Sequence, residues 1–199
     1  MKTERIAAVL LAAGTSSRFG DEDKLMAPLG GKPLIAHVLE TVASMAFAEL
    51  VAVVRPETLA PVVHRKLDRR GYTLIVNDRP EEGISGSIVR AVRHVLPQDR
   101  IRGILLCLGD MPGVPQTHYN RLCLAAVDIR SVVASTDGFS PSLPAFIGRR
   151  HFPELLALKG DQGPRALLSH GLLLETGGTI LRDIDTPRDL PGWTGGTPA

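Results

Sequence analysis

The sequence predicts an α/β fold with a mostly parallel central sheet flanked by helices and a late antiparallel strand. Three observations carry this. Short apolar runs alternate with stretches of helical period, the order a parallel sheet with crossover helices requires. The first run, Ile6 to Leu11, is apolar without interruption, as in a strand covered on both faces. The most elaborate turn in the chain, rich in glycine and small residues, follows that strand directly.

In chain order, Ile6–Leu11 (IAAVLL) is the first strand, and Leu34, Ile35, Val38, Leu39 and Val42 recur at helical spacing after Pro33. Glu49–Val54 and Tyr72–Val76 are the second and third strands, with a helix over 57–69 between them that Gly71 ends. Ile84, Ile88, Val89, Val92, Val95 and Leu96 form the stripe of another helix. Gly103–Leu108 follows as a fully buried fourth strand that stops at Gly109–Asp110. A helix from Pro115 to Val127 leads to a strand at Ser131–Ser135, a Gly/Ser/Pro-rich loop and a short run at Pro144–Ile147. Beyond it the pattern loosens into helical stretches over 150–158 and 164–170 and apolar pieces at Leu172–Leu174 and Ile180–Leu181, where the late antiparallel strand is expected. Residues 1–191 read as a single domain and 192–199 as a flexible tail.

A chain of 199 residues is the size of one domain, and 44% hydrophobic residues suffice for a sizeable core. Lys and Arg total 23 against 21 acids, a balance that argues for neither a nucleic-acid nor a membrane partner and leaves a small molecule. Cys107 and Cys123 form no close pair and have no histidine at metal-ligand spacing, which fits a reducing cytoplasm. The opening MKTERIAAVLLAAG is too short in apolar length for a signal peptide or a spanning helix, so a cytoplasmic location is expected.

The stretch Leu11-Ala-Ala-Gly-Thr-Ser-Ser-Arg-Phe-Gly20 is the chemically richest. Ala12, Ala13 and Gly14 let the backbone approach a ligand, while Thr15, Ser16 and Ser17 add donors suited to phosphate oxygens. Arg18 and Lys24 add fixed positive charge. There is no G-x-G-x-x-G, and Gly31-Lys32 is followed by Pro33, so neither a dinucleotide oxidoreductase nor a Walker-type kinase is supported. Asp110, at the carboxyl end of an apolar strand, stands where ligands bind in open α/β sheets and suits a magnesium ion that needs only one or two carboxylates. It equally suits the cap of the turn before Pro112. Gly83, Ser85, Gly86 and Ser87 open a helix and offer a close backbone and two hydroxyls, although Ser85 also suits an N-cap.

Taken whole, LAAGTSSRFG…KL resembles the signature of the molybdenum cofactor nucleotidyltransferases, within the Rossmann-like, glycosyltransferase-A-like nucleotidyltransferases. The resemblance extends over nearly the whole chain, through Gly83–Ile88, Leu108–Pro112, Gly160–Arg165 and Asp183–Asp189. It implies a Mg2+-dependent nucleotidyltransferase that binds its triphosphate with Leu11, Ala12, Ala13, Gly14, Thr15, Ser16, Ser17, Arg18, Lys24, Gly83, Ser85, Ser87 and Asp110. Arg18, Lys24 and Asp110 are then the catalytic set. Metal ligation falls to Asp110 with Asp185 as first candidate and Asp183 as second, though Asp185 also suits a cap on a helix beginning at Pro187. Asp161, Arg165 and Arg149 are candidates for a phosphorylated acceptor, molybdopterin, and solvated surface positions are the plain alternative for the arginines. Ser142–Leu143 precede Pro144 where relatives often carry Gly-His. The LAAG form favours CTP. A molybdoenzyme or its chaperone would receive the product. The same residues also serve a transferase acting on a sugar phosphate, a GTP-using guanylyltransferase, or a protein that binds nucleotide without turnover.

Overall fold

The computed structural model describes residues 1–14, 19, 23–56 and 71–190. The expected helix over 57–69, the expected tail over 192–199, and the loop residues Thr15, Ser16, Ser17 and Arg18 lie outside the described residues.

Seven strands form the main sheet: β1 (Ile6–Ala12), β2 (Glu49–Val54), β3 (Tyr72–Val76), β4 (Gly103–Leu108), β5 (Val132–Thr136), β6 (Pro141–Gly148) and β7 (Leu172–Glu175). Their spatial order is β3-β2-β1-β4-β6-β5-β7. β6 runs antiparallel to both β4 and β5, while β1, β2, β3 and β4 are mutually parallel and β7 pairs parallel with β5. The antiparallel strand is therefore β6, earlier than the Leu172–Leu181 region where the sequence pattern pointed, and Ile180–Leu181 pack against the core without joining the sheet.

The helices are α1 (Leu34–Ala43), α2 (Gly83–Val95), α3 (Gln116–Ala125), α4 (Phe152–Leu156) and α5 (Arg165–Leu168). β1 shows why its run is apolar throughout. Ala7, Val9 and Leu11 pack in one cluster with Ile88, Ala91, Val92 and Val95 of α2. Ile6, Ala8, Leu10 and Ala12 pack in the other with Ile35, Val38 and Leu39 of α1 and Tyr119 and Leu122 of α3. Alternate side chains leave opposite faces of a strand, so two covered faces need both sets apolar.

Chain direction across the sheet reverses between β1 and β4, because the early connections step to β2 and β3 on one side while β4 lies on the other. Such a reversal leaves a crevice at the carboxyl ends of the two strands. Two histidines are taken up in local hydrogen bonds. His37 donates from Nε2 to the Leu29 carbonyl, and His118 is bonded to Ser135 Oγ, with burial first and Arg121 second pushing its imidazole down to about 4. No described helix is long and apolar enough to cross a membrane.

Candidate active site

A cavity of about 250 Å³ opens at the β1/β4 crevice. Its walls are the Leu11–Gly14 turn, Lys24, Asp110, the start of α2 (Gly83, Ile84, Ser87), and Asp161. A Cβ built on Gly14 would meet no described atom within 4 Å, so packing does not demand the glycine there and its bareness widens the cavity. The opposite holds at Gly83, where φ is +69° and a Cβ would stand 2.1 Å from Asp161 Oδ1 and 2.9 Å from the Gly160 carbonyl. That close approach lets the Gly160–Asp161 turn seat on the helix start, where the Ser85 amide donates to the Gly160 carbonyl at 3.3 Å.

Lys24 sits on a one-turn 3-10 helix, Lys24–Met26. Asp23 caps it by accepting from the Leu25 amide at 3.0 Å and is itself paired with Arg55 at 3.3 Å, while Leu25 is buried. These contacts aim the Lys24 ammonium between two carboxylates, 2.7 Å from Asp110 Oδ2 and 3.1 Å from Asp185 Oδ1. Burial alone would lower the Lys24 pKa, but Asp110 and then Asp185 outweigh it and hold the group above its ordinary value. The ammonium therefore stays charged throughout the neutral range. Asp183 stands close enough that burial, followed by repulsion from Asp185 and Asp110, raises its carboxyl.

Two backbone devices bring the chain end to this place. The Ile184 amide donates to the Asp110 carbonyl at 3.0 Å, which sets Asp183 and Asp185 on either side of that bond. The short 3-10 helix Pro187–Asp189 is capped by Thr186 in a capping box with Asp189, so Asp185 is not its cap and its carboxylate faces Lys24. The Thr186 hydroxyl and amide, then Arg182, hold the Asp189 carboxyl down at about 2. A depressed carboxyl contributes stability above its unfolded value, near 3.8, that is lost as pH falls through the folded value. The Thr186 amide resonance is thus expected to titrate with a midpoint near pH 2, and a midpoint near 4 would show that the box does not hold.

Asp110 does not cap the turn before Pro112 by its side chain: Oδ2 takes the lysine, and Oδ1 is buried with no hydrogen-bond partner among the described residues. A buried carboxylate oxygen left bare is costly unless a donor or cation meets it. Among the described residues no group of three His, Cys, Asp or Glu side chains could hold a metal alone. The donor set present, Asp110 with Asp185 beside it, fits Mg2+, which takes one or two carboxylates and completes its shell with phosphate oxygens and water.

Two expected residues are corrected. Arg149 lies at the opposite edge of the sheet, beside the amino end of β4, where its amide donates to the Arg102 carbonyl. Its guanidinium donates to the carbonyls of Leu96, Gln98 and Ile101, closing the end of α2, and cannot reach an acceptor at the crevice. Arg149→Ala is expected to cost about 1 kcal/mol by leaving part-buried carbonyls unpaired, with turnover retained. Thermal melting beside an activity assay checks this, and lost activity in a folded variant would reverse the correction. Ser85 is buried and donates its hydroxyl to the Glu82 carbonyl, so it secures the first turn of α2 and does not line the cavity.

Arg165 is at the crevice edge. It donates to Ser140 Oγ at 3.2 Å in the β5–β6 connection and lines a neighbouring groove that shares Asp161 with the cavity. Pro164, expected as the first residue of α5, is its cap. Sequence reasoning missed Asn77, a fully buried polar residue just past β3 that donates to Ser87 Oγ at 3.0 Å. Its signal was weak: it is the first residue of the polar run Asn77-Asp78-Arg79 that closes an apolar strand.

A glycine turn after β1 and a lysine clasped by Asp110, just past β4, and by Asp185 stand together at the crevice of a Rossmann-like α/β sheet, and the family match makes this a nucleotidyltransferase. The chain belongs to the MobA-like NTP transferase domain family, which it matches over residues 8–176. It is 30% identical over 202 residues to Purine catabolism protein PucB of Bacillus subtilis (strain 168), covering 95% of this chain and 96% of that protein. It is 33% identical over 105 residues to a probable molybdenum cofactor guanylyltransferase of Thermococcus sibiricus, covering 52% of this chain and 47% of that protein. Among solved structures, Rv0371c of Mycobacterium tuberculosis H37Rv superposes with a TM-score of 0.78 at 25% identity, over 94% of this chain and 96% of that one. A manganese complex of the same protein superposes at 0.76 and 24%, over 95% of this chain and all of that one.

Proposed function

We propose that this protein transfers a cytidylyl group from CTP to the phosphate of molybdopterin, releasing pyrophosphate and joining the two through a new phosphoanhydride. The observation that carries the reading is the Asp110–Lys24–Asp185 clasp beside the glycine turn, with Asp110 Oδ1 left bare. The LAAG form of that turn supports CTP, and kinship with a molybdenum cofactor guanylyltransferase supports the acceptor.

An oxygen of the acceptor monoester attacks the α-phosphorus as the bond to the β-phosphate oxygen breaks in line. The monoester is already largely dianionic at neutral pH, since its second pKa is about 6, so no protein base or nucleophile is required. The task is to hold two anions together and to stabilise charge on the reacting phosphorus and the leaving pyrophosphate. Ala12, Ala13 and Gly14 admit the triphosphate close to backbone, and Lys24, with Arg18 from the same loop, supplies fixed positive charge. Ser87 and the backbone of Gly83 meet the nucleoside, while Asp161 and Arg165 border the groove into which the acceptor enters. Asp110 and Asp185 would hold Mg2+, with Asp183 nearby; when bound, the ion supplies neutralisation of phosphate charge.

Pyrophosphate release from CTP and GTP, with molybdopterin and with sugar phosphates as acceptors, tests the reading. Release with CTP and molybdopterin supports it. Release only with a sugar phosphate overturns the acceptor, preference for GTP overturns the base, and nucleotide binding without pyrophosphate overturns catalysis.

A further inference from the structure

The missed residue, Asn77, carries an inference that rests on the nucleotide site just described. It is the first residue past β3 and wholly buried, and its amide donates to the Val54 carbonyl at 2.7 Å, continuing the β2/β3 pairing. Its side-chain oxygen accepts from the Arg79 amide at 3.0 Å. A backbone amide only donates, so this bond settles which end of the carboxamide is oxygen and turns Nδ2 toward Ser87 Oγ, 3.0 Å away.

Nδ2 also only donates. The Ser87 oxygen must accept in this bond, and the hydroxyl proton points elsewhere. No acceptor among the described residues takes it, and Ser87 lines the nucleotide cavity. A hydroxyl proton aimed into an open cavity is a donor for whichever ligand acceptor displaces water there. We propose that Asn77 is a positioning residue that makes the Ser87 hydroxyl a donor into the cavity, so that the site selects a nucleobase edge presenting an unprotonated ring nitrogen or carbonyl oxygen there.

Asn77→Asp keeps the shape and the bond from the Arg79 amide but replaces the donor with an oxygen that takes the Ser87 proton, reversing the hydroxyl. At pH 8, CTP affinity is expected to fall about tenfold, the size of one well-placed hydrogen bond, while affinity for inorganic triphosphate, which has no base, stays unchanged. In a Ser87→Ala background the same substitution should add nothing, because the effect acts through that hydroxyl. Undiminished CTP affinity in Asn77→Asp overturns the proposal, as does an equal fall for CTP and inorganic triphosphate, which marks general damage. Should Asn77→Asp fail to fold, Ser87→Ala alone decides: a tenfold loss confined to CTP supports the proposal, and no loss overturns it. Wild-type protein that binds inorganic triphosphate but no nucleoside triphosphate overturns the underlying reading of the site, an outcome distinct from the others.

Discussion

Asp110→Asn is expected to give a folded protein whose turnover has fallen about 10²–10³-fold, the loss seen when one charge-stabilising group is removed from a site of this kind. The carboxylate is the partner of Lys24 at 2.7 Å, and its Oδ1 is buried with no hydrogen-bond partner among the described residues. On the proposed reading its removal takes away a ligand for the cation that would neutralise phosphate charge, and it leaves Lys24 with Asp185 as its one charged partner among these two. Folding depends on other atoms of the residue. The backbone carbonyl of Asp110 receives the Ile184 amide whatever the side chain is, and the preceding Leu108 and Gly109 hold the strand end through pairing with β1. A melting temperature within about 5 °C of wild type is therefore expected, since 1 kcal/mol shifts a chain of this length by about 2–4 °C. Steady-state pyrophosphate release alongside a thermal melt checks both halves. Wild-type turnover in the variant would remove Asp110 from the chemistry.

Gly83→Ala is expected to be strongly destabilising. With φ +69° and ψ −165°, a region essentially reserved for glycine, a residue with a Cβ costs about 1–3 kcal/mol, and the overpacking against the Gly160 carbonyl adds about 1–3 kcal/mol. The Asp161 carboxylate can swing aside, but the Gly160 backbone cannot without breaking its bond from the Ser85 amide. Melting should fall by about 5–15 °C and triphosphate binding should be lost, because the displaced turn forms a wall of the cavity. Gly14→Ala is the contrast. Its Cβ meets nothing described within 4 Å, so melting should hold while nucleotide binding suffers. Equal melting of the two variants would contradict the packing assigned to Gly83.

These predictions separate what was legible in the chain from what was not. β2, β3 and β4 were readable to their ends because each is an apolar run between breakers, and α1 and α2 because their stripes keep one face inward. β6 was harder. It begins at Pro141, among Gly, Ser and Pro residues that read as loop, and its direction depends on partners far away in sequence. At the site, position and charge pointed to Lys24 and Asp110, while Asp185 came only from the resemblance, since a cap before Pro187 explains an aspartate there equally well. Direction was the hidden quantity. Ser85 and Ser87 are two positions apart, and on a helix of 3.6 residues per turn that places them on nearly opposite faces, so only Ser87 meets the cavity. Arg149 has the right chemistry at the wrong end of the sheet. Asn77 announced itself only by being polar, because its bond to Ser87 spans a turn that spacing does not resolve.

The bond from Ile184 to Asp110, together with the reach of Lys24 across 161 residues to Asp185, has a consequence for the order in which the molecule is made. A ribosome adds about 5–20 residues each second, so β1 to β4 are available to pair several seconds before residues 183–185 emerge. Closing so long a loop is entropically costly and gains support only from contacts already in place. The nascent chain can therefore pair β1 to β4 well before the Lys24–Asp185 contact can form.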